Sequence, residues 1–162
     1  MFKVSFKGDF KKVQTFNNRA TIVTMTGQMS IPNEMWSVFP DKVANWMWQH
    51  PSVDASWGKC TKENEVIRLE FSGKSVCAEE DTFDLVVGER IAEARAKIKL
   101  YEFMANLTNK IGNYYVKLVY GNSQLSGLTI DNNNGGVQLA HFKYAKLFLM
   151  EHRHLDKLLE EA

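Results

Sequence analysis

The chain has 162 residues, 44% of them hydrophobic and 24% charged, with a formal net charge of +1. That length and balance fit one globular domain with a core of its own and exclude a disordered chain. A net charge this small gives no global basic footprint, so nucleic acid is not expected as a partner on charge alone.

The charge is nevertheless uneven. Lys3, Lys7, Lys11, Lys12 and Arg19 crowd the first segment against Asp9 alone, while Glu79, Glu80, Asp81 and Asp84 form an acidic cluster. The cysteines, Cys60 and Cys77, form no Cys-x-x-Cys; one disulfide is open, and nothing demands an oxidising compartment. Lysines interrupt the first ten residues, so no signal peptide is visible. No apolar run approaches the ~18–20 residues of a membrane span, and a cytoplasmic protein without membrane contact is expected.

Phe2, Val4 and Phe6 alternate with polar residues at the period of a half-buried strand, and Gly8-Asp9 gives a turn signal. Ala20 to Ile31 is a long β-branched and Met-rich run with Val23, Met25, Met29 and Ile31 on one face. Gly27 inside it predicts a bulge or a close backbone approach. Pro32 ends the run. Asp41 is placed to cap a short helix through Lys42 to Trp48, which must stop near Pro51. Ile67, Leu69 and Phe71 then alternate with Arg68 and Glu70, Ser72-Gly73 reads as a turn, and Lys74 to Ala78 as the returning strand.

Helix is predicted from Asp81, whose side chain would cap it, with Asp84 three residues on at capping-box spacing. Val87, Ile91, Ala94, Ile98 and Tyr101 recur at helical spacing, and Glu93 and Lys97 form an i,i+4 pair. Gly112-Asn113 breaks the pattern. Tyr114 to Tyr120 fits strand or helix and is assigned to helix. Asn122 to Gly136 reads as loop, and Tyr144, Leu147, Phe148, Leu155, Leu158 and Leu159 mark one face of a last helix. The fold class is α+β: an N-terminal antiparallel β-sheet followed by a C-terminal antiparallel pair of long helices. Residues 1–162 form a single domain, with 1–80 mainly strands plus a short Trp-rich helix and 81–162 mainly helical.

Chemical motifs are sparse. His152 and His154, two apart on a helix, point about 200° from each other, whereas helical metal ligands sit at i,i+4. Asp131 to Gly136 looks superficially like a calcium loop, but its twelfth position is Phe142 rather than a glutamate. No nucleophile elbow, Walker loop or dinucleotide fingerprint occurs, so neither an enzyme nor a cofactor is expected. Trp36, Trp46, Trp48 and Trp57 are read as core or interface cover in preference to base-stacking plates. Near Phe83, Arg90 and Arg95 suit phosphate capture with the ring as a purine plate, or else surface pairing with Glu89 and Glu93.

The segment Gly73-x-x-Val76-Cys77-x-x-x-Asp81-x-Phe83-Asp84-x-x-x-Gly88-x-x-Ile91-Ala92-x-x-Arg95-Ala96 resembles a signature of small phage and prophage proteins. The nearest named family is the Tad-type phage anti-defence proteins that counter Thoeris immunity. This resemblance implies a non-enzymatic sponge in the cytoplasm of an infected bacterial host, an N-terminal sheet with C-terminal helices, and an oligomer that binds a cyclic ADP-ribose isomer or a cyclic oligonucleotide. It implies a ligand-stacking role for Phe83. Where the family carries a polar asparagine, Glu93 stands here, suited to a ribose hydroxyl or an adenine amine. Arg68, Arg90 and Arg95 are the phosphate candidates. The alternative is a phage accessory protein that binds nucleic acid or a host defence protein such as a nuclease. Surplus apolar residues on both long helices, Val86, Phe103, Phe142 and Leu149 among them, predict an even-numbered homo-oligomer with the pocket near Phe83 at a subunit boundary.

Overall fold

The computed structural model describes residues 4–36, 41–121 and 127–162; for Glu34, Trp57, 115–121 and 127–135 it describes the backbone alone. Two hairpins build the sheet. β1 (Ser5–Phe16) and β2 (Ala20–Pro32) pair antiparallel from Ser5↔Ser30 to Phe16↔Ala20. Their turn uses Asn17 and Asn18, both at φ 50°, a region where asparagine is better tolerated than other side-chain-bearing residues. β3 (Val53–Cys60) and β4 (Asn64–Val76) form the second hairpin, with the Thr61 hydroxyl accepting from the Asn64 amide at 3.0 Å. β2 and β4 pair antiparallel along their lengths, giving the order β1-β2-β4-β3.

Paired residues share a face, so the sheet has two distinct sides. Val23, Met29, Ile31, Ile67, Leu69 and Phe71 are buried on one. Lys12, Arg68 and Lys74 stand exposed on the other. Between β2 and β3 come α1 (Asn33–Trp36) and α2 (Asp41–Gln49). The long helices are α3 (Leu85–Gly121) and α4 (Gly127–Glu161).

α3 lies across the buried side of β2 and β4, and α4 runs antiparallel along it. His141 Nδ1 of α4 sits 3.0 Å from the Ala105 carbonyl, while Leu155, further along α4, clusters with Ile91, earlier on α3. Phe103 of α3 is the centre of the core. Its ring stacks on Trp46 at 5.5 Å, meets Phe71 at 5.8 Å and has the edge of His50 at 4.7 Å. Trp36 stands edge-on to Trp48 at 6.1 Å. These three tryptophans therefore cover the core, one of the two roles expected for them, and the side chain of Trp57 lies outside the described residues.

The sheet-then-helices architecture agrees with the sequence reading, but several boundaries do not. Gly8-Asp9 is no turn: β1 continues, and the pairing shifts between Gly8 and Phe10, leaving Asp9 as the extra residue of a bulge. Gly27, opposite Gly8, has no room for a Cβ, which would meet the Phe6 ring. Ser72-Gly73 is no turn either, because β4 runs unbroken to Val76. α3 continues through Gly112-Asn113 and includes Tyr114 to Tyr120. Burial of Ile111 in the core it shares with Val137 and Ala140 of α4 outweighs the ~1 kcal/mol that a helical glycine costs. The loop assigned to Asn122–Gly136 is helical from Gly127, and Gly136 and Val137 are buried where they sit; Asn122 to Ser126 lie outside the described residues. No helix among the described residues is long and apolar enough to cross a membrane.

Candidate functional site

The acidic segment after β4 caps α3 one turn later than expected. Asp84 Oδ1 accepts from the amides of Val86 at 2.9 Å and Val87 at 3.1 Å, and the Asp84 carbonyl accepts from Gly88 at 2.9 Å. Asp84 is thus the N-cap, and Asp81 belongs to a turn in which its amide donates to the Ala78 carbonyl at 3.2 Å. The positive end of α3 is already matched by a carboxylate from within the chain. The Cys77 amide donates to the Arg19 carbonyl at 2.7 Å, which ties this segment to the β1–β2 turn.

A pocket of about 490 Å³ opens beside that cap, within the range of small-molecule sites. Its walls come from the end of β4, the Cys77–Asp84 segment, the first turns of α3 and the C-terminal end of α4. Phe83, Val87, Ile91 and Leu159 supply apolar surface, Arg19 and Arg95 positive charge, and Asp81, Asp84 and Glu161 negative charge. Phe83 is half-buried and immediately precedes the N-cap. The position where a hydrophobic staple would meet such a residue is Gly88, which has no side chain to offer.

Gly88 also lets α3 approach β2. A Cβ there would stand 2.9 Å from Thr21 Oγ1. That hydroxyl is fully buried and has no hydrogen-bond partner among the described residues. The Ser75 hydroxyl lies behind the same point at 4.0 Å.

Arg95 has a second task. β3 stops pairing before the end of β4, and from there the β4 edge is served by α3: Arg95 Nη1 donates to the Lys74 carbonyl and Lys99 Nζ to the Ser72 carbonyl, both at 2.6 Å. Positions i and i+4 on one helix face satisfy alternate carbonyls of a strand edge. Arg95 also lines the pocket, and its planar guanidinium fork carries further N–H donors.

The structure brings together two of the residues singled out from sequence, Phe83 and Arg95. The other three lie elsewhere. Glu93 points to β1, bonded to Lys11 at 3.1 Å and Lys97 at 3.0 Å. Lys11 also meets Glu89 at 2.9 Å. Burial pushes the Glu93 carboxyl up, but the hydrogen bonds from Lys97 and Lys11 outweigh it and hold the group below its ordinary range. Arg90 is exposed on α3, outside the pocket lining, and Arg68 is exposed on the sheet side opposite the helices.

Sequence reasoning did not associate Arg19, Ser75 or the end of α4 with this site. Arg19 joins it because Ala20 pairs with Val76. A register between strands so distant in sequence leaves no local signal. Compared with family models, curated proteins and solved structures, the chain matches none.

The pocket joins a stacking ring to donors and acceptors of both signs. Such a set suits a nucleoside carrying a phosphate: ring to base, guanidinium to phosphate, carboxylate to ribose hydroxyl or exocyclic amine. Cys77, the one thiol in the lining, donates to the Asp81 carbonyl at 3.5 Å.

Proposed function

We propose that this protein is a non-enzymatic binding protein that sequesters a small nucleotide signal in the pocket at the head of α3. The observation that carries the reading is that Phe83, Arg95 and Arg19 line one cavity of about 490 Å³. Sequestration needs burial and anchoring, with no nucleophile or general base. The resemblance of Gly73–Ala96 to phage anti-defence proteins supports a cyclic ADP-ribose isomer as the ligand class, with cyclic oligonucleotides beside it. It equally supports a phage origin and action in the cytoplasm of an infected bacterium.

The reading includes an even-numbered homo-oligomer. On α4, Leu139, Phe142, Leu149 and Met150 are exposed along one stripe, opposite the side that carries Tyr144 and Leu155. α3 offers less surface than its composition suggests. Leu100, Phe103, Met104 and Leu107 are all buried in a core shared with the sheet, α2 and α4, while Val86 remains exposed.

Heating the purified protein and identifying released small molecules by mass spectrometry tests the ligand class directly. A nucleotide with an unhydrolysed phosphate linkage is the expected release. A hydrolysed product accumulating from added cyclic nucleotide would point to an enzyme instead.

A further inference from the structure

We propose that the open side of the sheet is a platform for single-stranded nucleic acid, separate from the pocket at Phe83. The pairing register defines this side. Lys7↔Gln28, Phe10↔Thr26, Lys12↔Thr24 and Phe16↔Ala20 place two aromatic and two cationic side chains of β1 on one face. Lys74 and Arg68 of β4 share it through Ile22 and Gln28, and Lys59 of β3 through Val66. Phe10 is 60% exposed and Phe16 45%, values that a core-directed ring does not show. Beside Lys12 on the neighbouring strands, the Thr24 and Ser72 hydroxyls lie 3.0 Å apart.

Charge selects the partner. Lys7, Lys12, Lys59, Arg68 and Lys74 face outward against Glu70 and Asp54, with Asp9 exposed at the bulge beside Phe10, and Asp54 lies near enough to Arg68 to feel its charge. On the opposite side of the same strand Lys11 is matched by Glu89 and Glu93. The near-neutral total conceals this because Glu79, Glu80, Asp81 and Asp84 sit at the pocket end.

Phe10 and Phe16 are separated along β1 by about 20 Å at the usual strand rise, with Lys12 and Gln14 between them. Protein interfaces concentrate apolar residues at their centre and deplete lysine there, and lysines along an edge strand oppose pairing with another strand. Rings set apart and interleaved with cations match the plan on which unpaired bases stack while phosphates track positive side chains. A duplex keeps its bases stacked inside and offers these rings nothing.

The test is fluorescence anisotropy of a labelled oligothymidylate and oligouridylate over a salt series, with a duplex of the same length alongside. Single strands are expected to bind with affinity falling as salt rises, each phosphate contact adding about 0.7 to the log–log slope. Lys12→Gln and Lys74→Gln should each flatten that slope. Phe10→Ala and Phe16→Ala should each weaken binding at least about fivefold with unchanged melting, because both rings stand in solvent. Phe83→Ala should leave oligonucleotide binding intact.

Three results would overturn the proposal: no salt-sensitive binding of either single strand, equal binding of the duplex, or loss of oligonucleotide binding in Phe83→Ala. A fourth is self-association that Phe10→Ala and Phe16→Ala abolish while no oligonucleotide binds, which would make this face a contact between copies.

Discussion

Gly73 of β4 and Ala92 of α3 meet backbone to backbone, so closely that a Cβ on Gly73 would overlap the Ala92 carbonyl oxygen. The same added atom would stand 2.6 Å from the Ala96 amide and 2.9 Å from Cβ of Arg95. This contact seats α3 on the sheet and thereby fixes where the pocket opens. It also explains much of the Gly73–Ala96 pattern as packing: Gly73, Ala92 and Ala96 at the crossing, Gly88 over Thr21, Asp84 as the cap. What remains of that pattern, Val76, Cys77, Asp81, Phe83, Ile91 and Arg95, lines the pocket.

Gly73→Ala should therefore be among the most damaging small substitutions in the chain. Overpacking typically costs about 1–3 kcal/mol, and here the obstructing atoms are backbone, which cannot rotate away. Gly88→Ala faces a threonine hydroxyl at 2.9 Å and should lose less. Urea unfolding of the two variants gives the comparison; equal midpoints would mean that the crossing is looser than described.

The helix start offers a second check. Asp84→Ala removes an oxygen that serves two amides and should lower stability by about 1 kcal/mol, while Asp84→Asn retains most of it. Asp81→Ala should change stability by no more than a few tenths of a kcal/mol. The reverse ranking in thermal or urea unfolding would return the cap to Asp81.

That one-turn error shows what a sequence can disclose here. Alternation along β2 and β4 and the helical spacing of Ile91, Ala94 and Ile98 expose the fold class, because periodicity follows from which face is buried. Glycine and asparagine carry no such mark. Gly73 looks like a turn residue until a helix is known to cross it, and Asp131 to Gly136 look like loop although α4 runs through them and Gly136 is buried. At the site, Phe83 and Arg95 were legible as chemistry within one segment. Arg19 and Leu159 were not, since only long-range pairing and the return of α4 bring them in.

The Lys11–Glu93–Lys97 network predicts a defined pH window. Glu93 titrates below its ordinary value of 4.5 in the folded chain, so its contribution is present above that value and lost as pH falls through the folded pKa. The hydrogen bonds that Lys11 donates to Glu89 and then to Glu93 raise it. Lys97 is lowered by burial, but Glu93 more than compensates and raises it. Both lysines start from 10.5, so their contribution is complete below that value and lost as pH rises through the folded pKa values. Solvent screens these pairs, and each is worth about 0–1 kcal/mol. Glu93→Gln should reduce stability at neutral pH by an amount that shrinks under acid and in high salt. A deficit that stays constant from neutral to acid pH would contradict this.

Assembly has its own measurement. Phe142→Glu with Leu149→Glu places two charges on the exposed stripe of α4 and away from the shared core. Light scattering should show an even-numbered oligomer for the unmodified chain and a smaller species for the double variant, with helix content preserved. A monomeric unmodified chain at tens of micromolar would remove the oligomer from the proposal.

The central claim is that the pocket at Phe83 holds a nucleotide, and calorimetric titration tests it most directly. Cyclic ADP-ribose isomers and cyclic di- and trinucleotides are titrated into the full chain and into Phe83→Ala. At least one ligand should bind saturably at micromolar concentration or tighter, and Phe83→Ala should bind it at least about tenfold more weakly, as expected on loss of a stacking plate. Melting of that variant should be nearly unchanged, because the ring borders an open pocket. No binding of any of these nucleotides, or binding that Phe83→Ala leaves intact, would contradict the account.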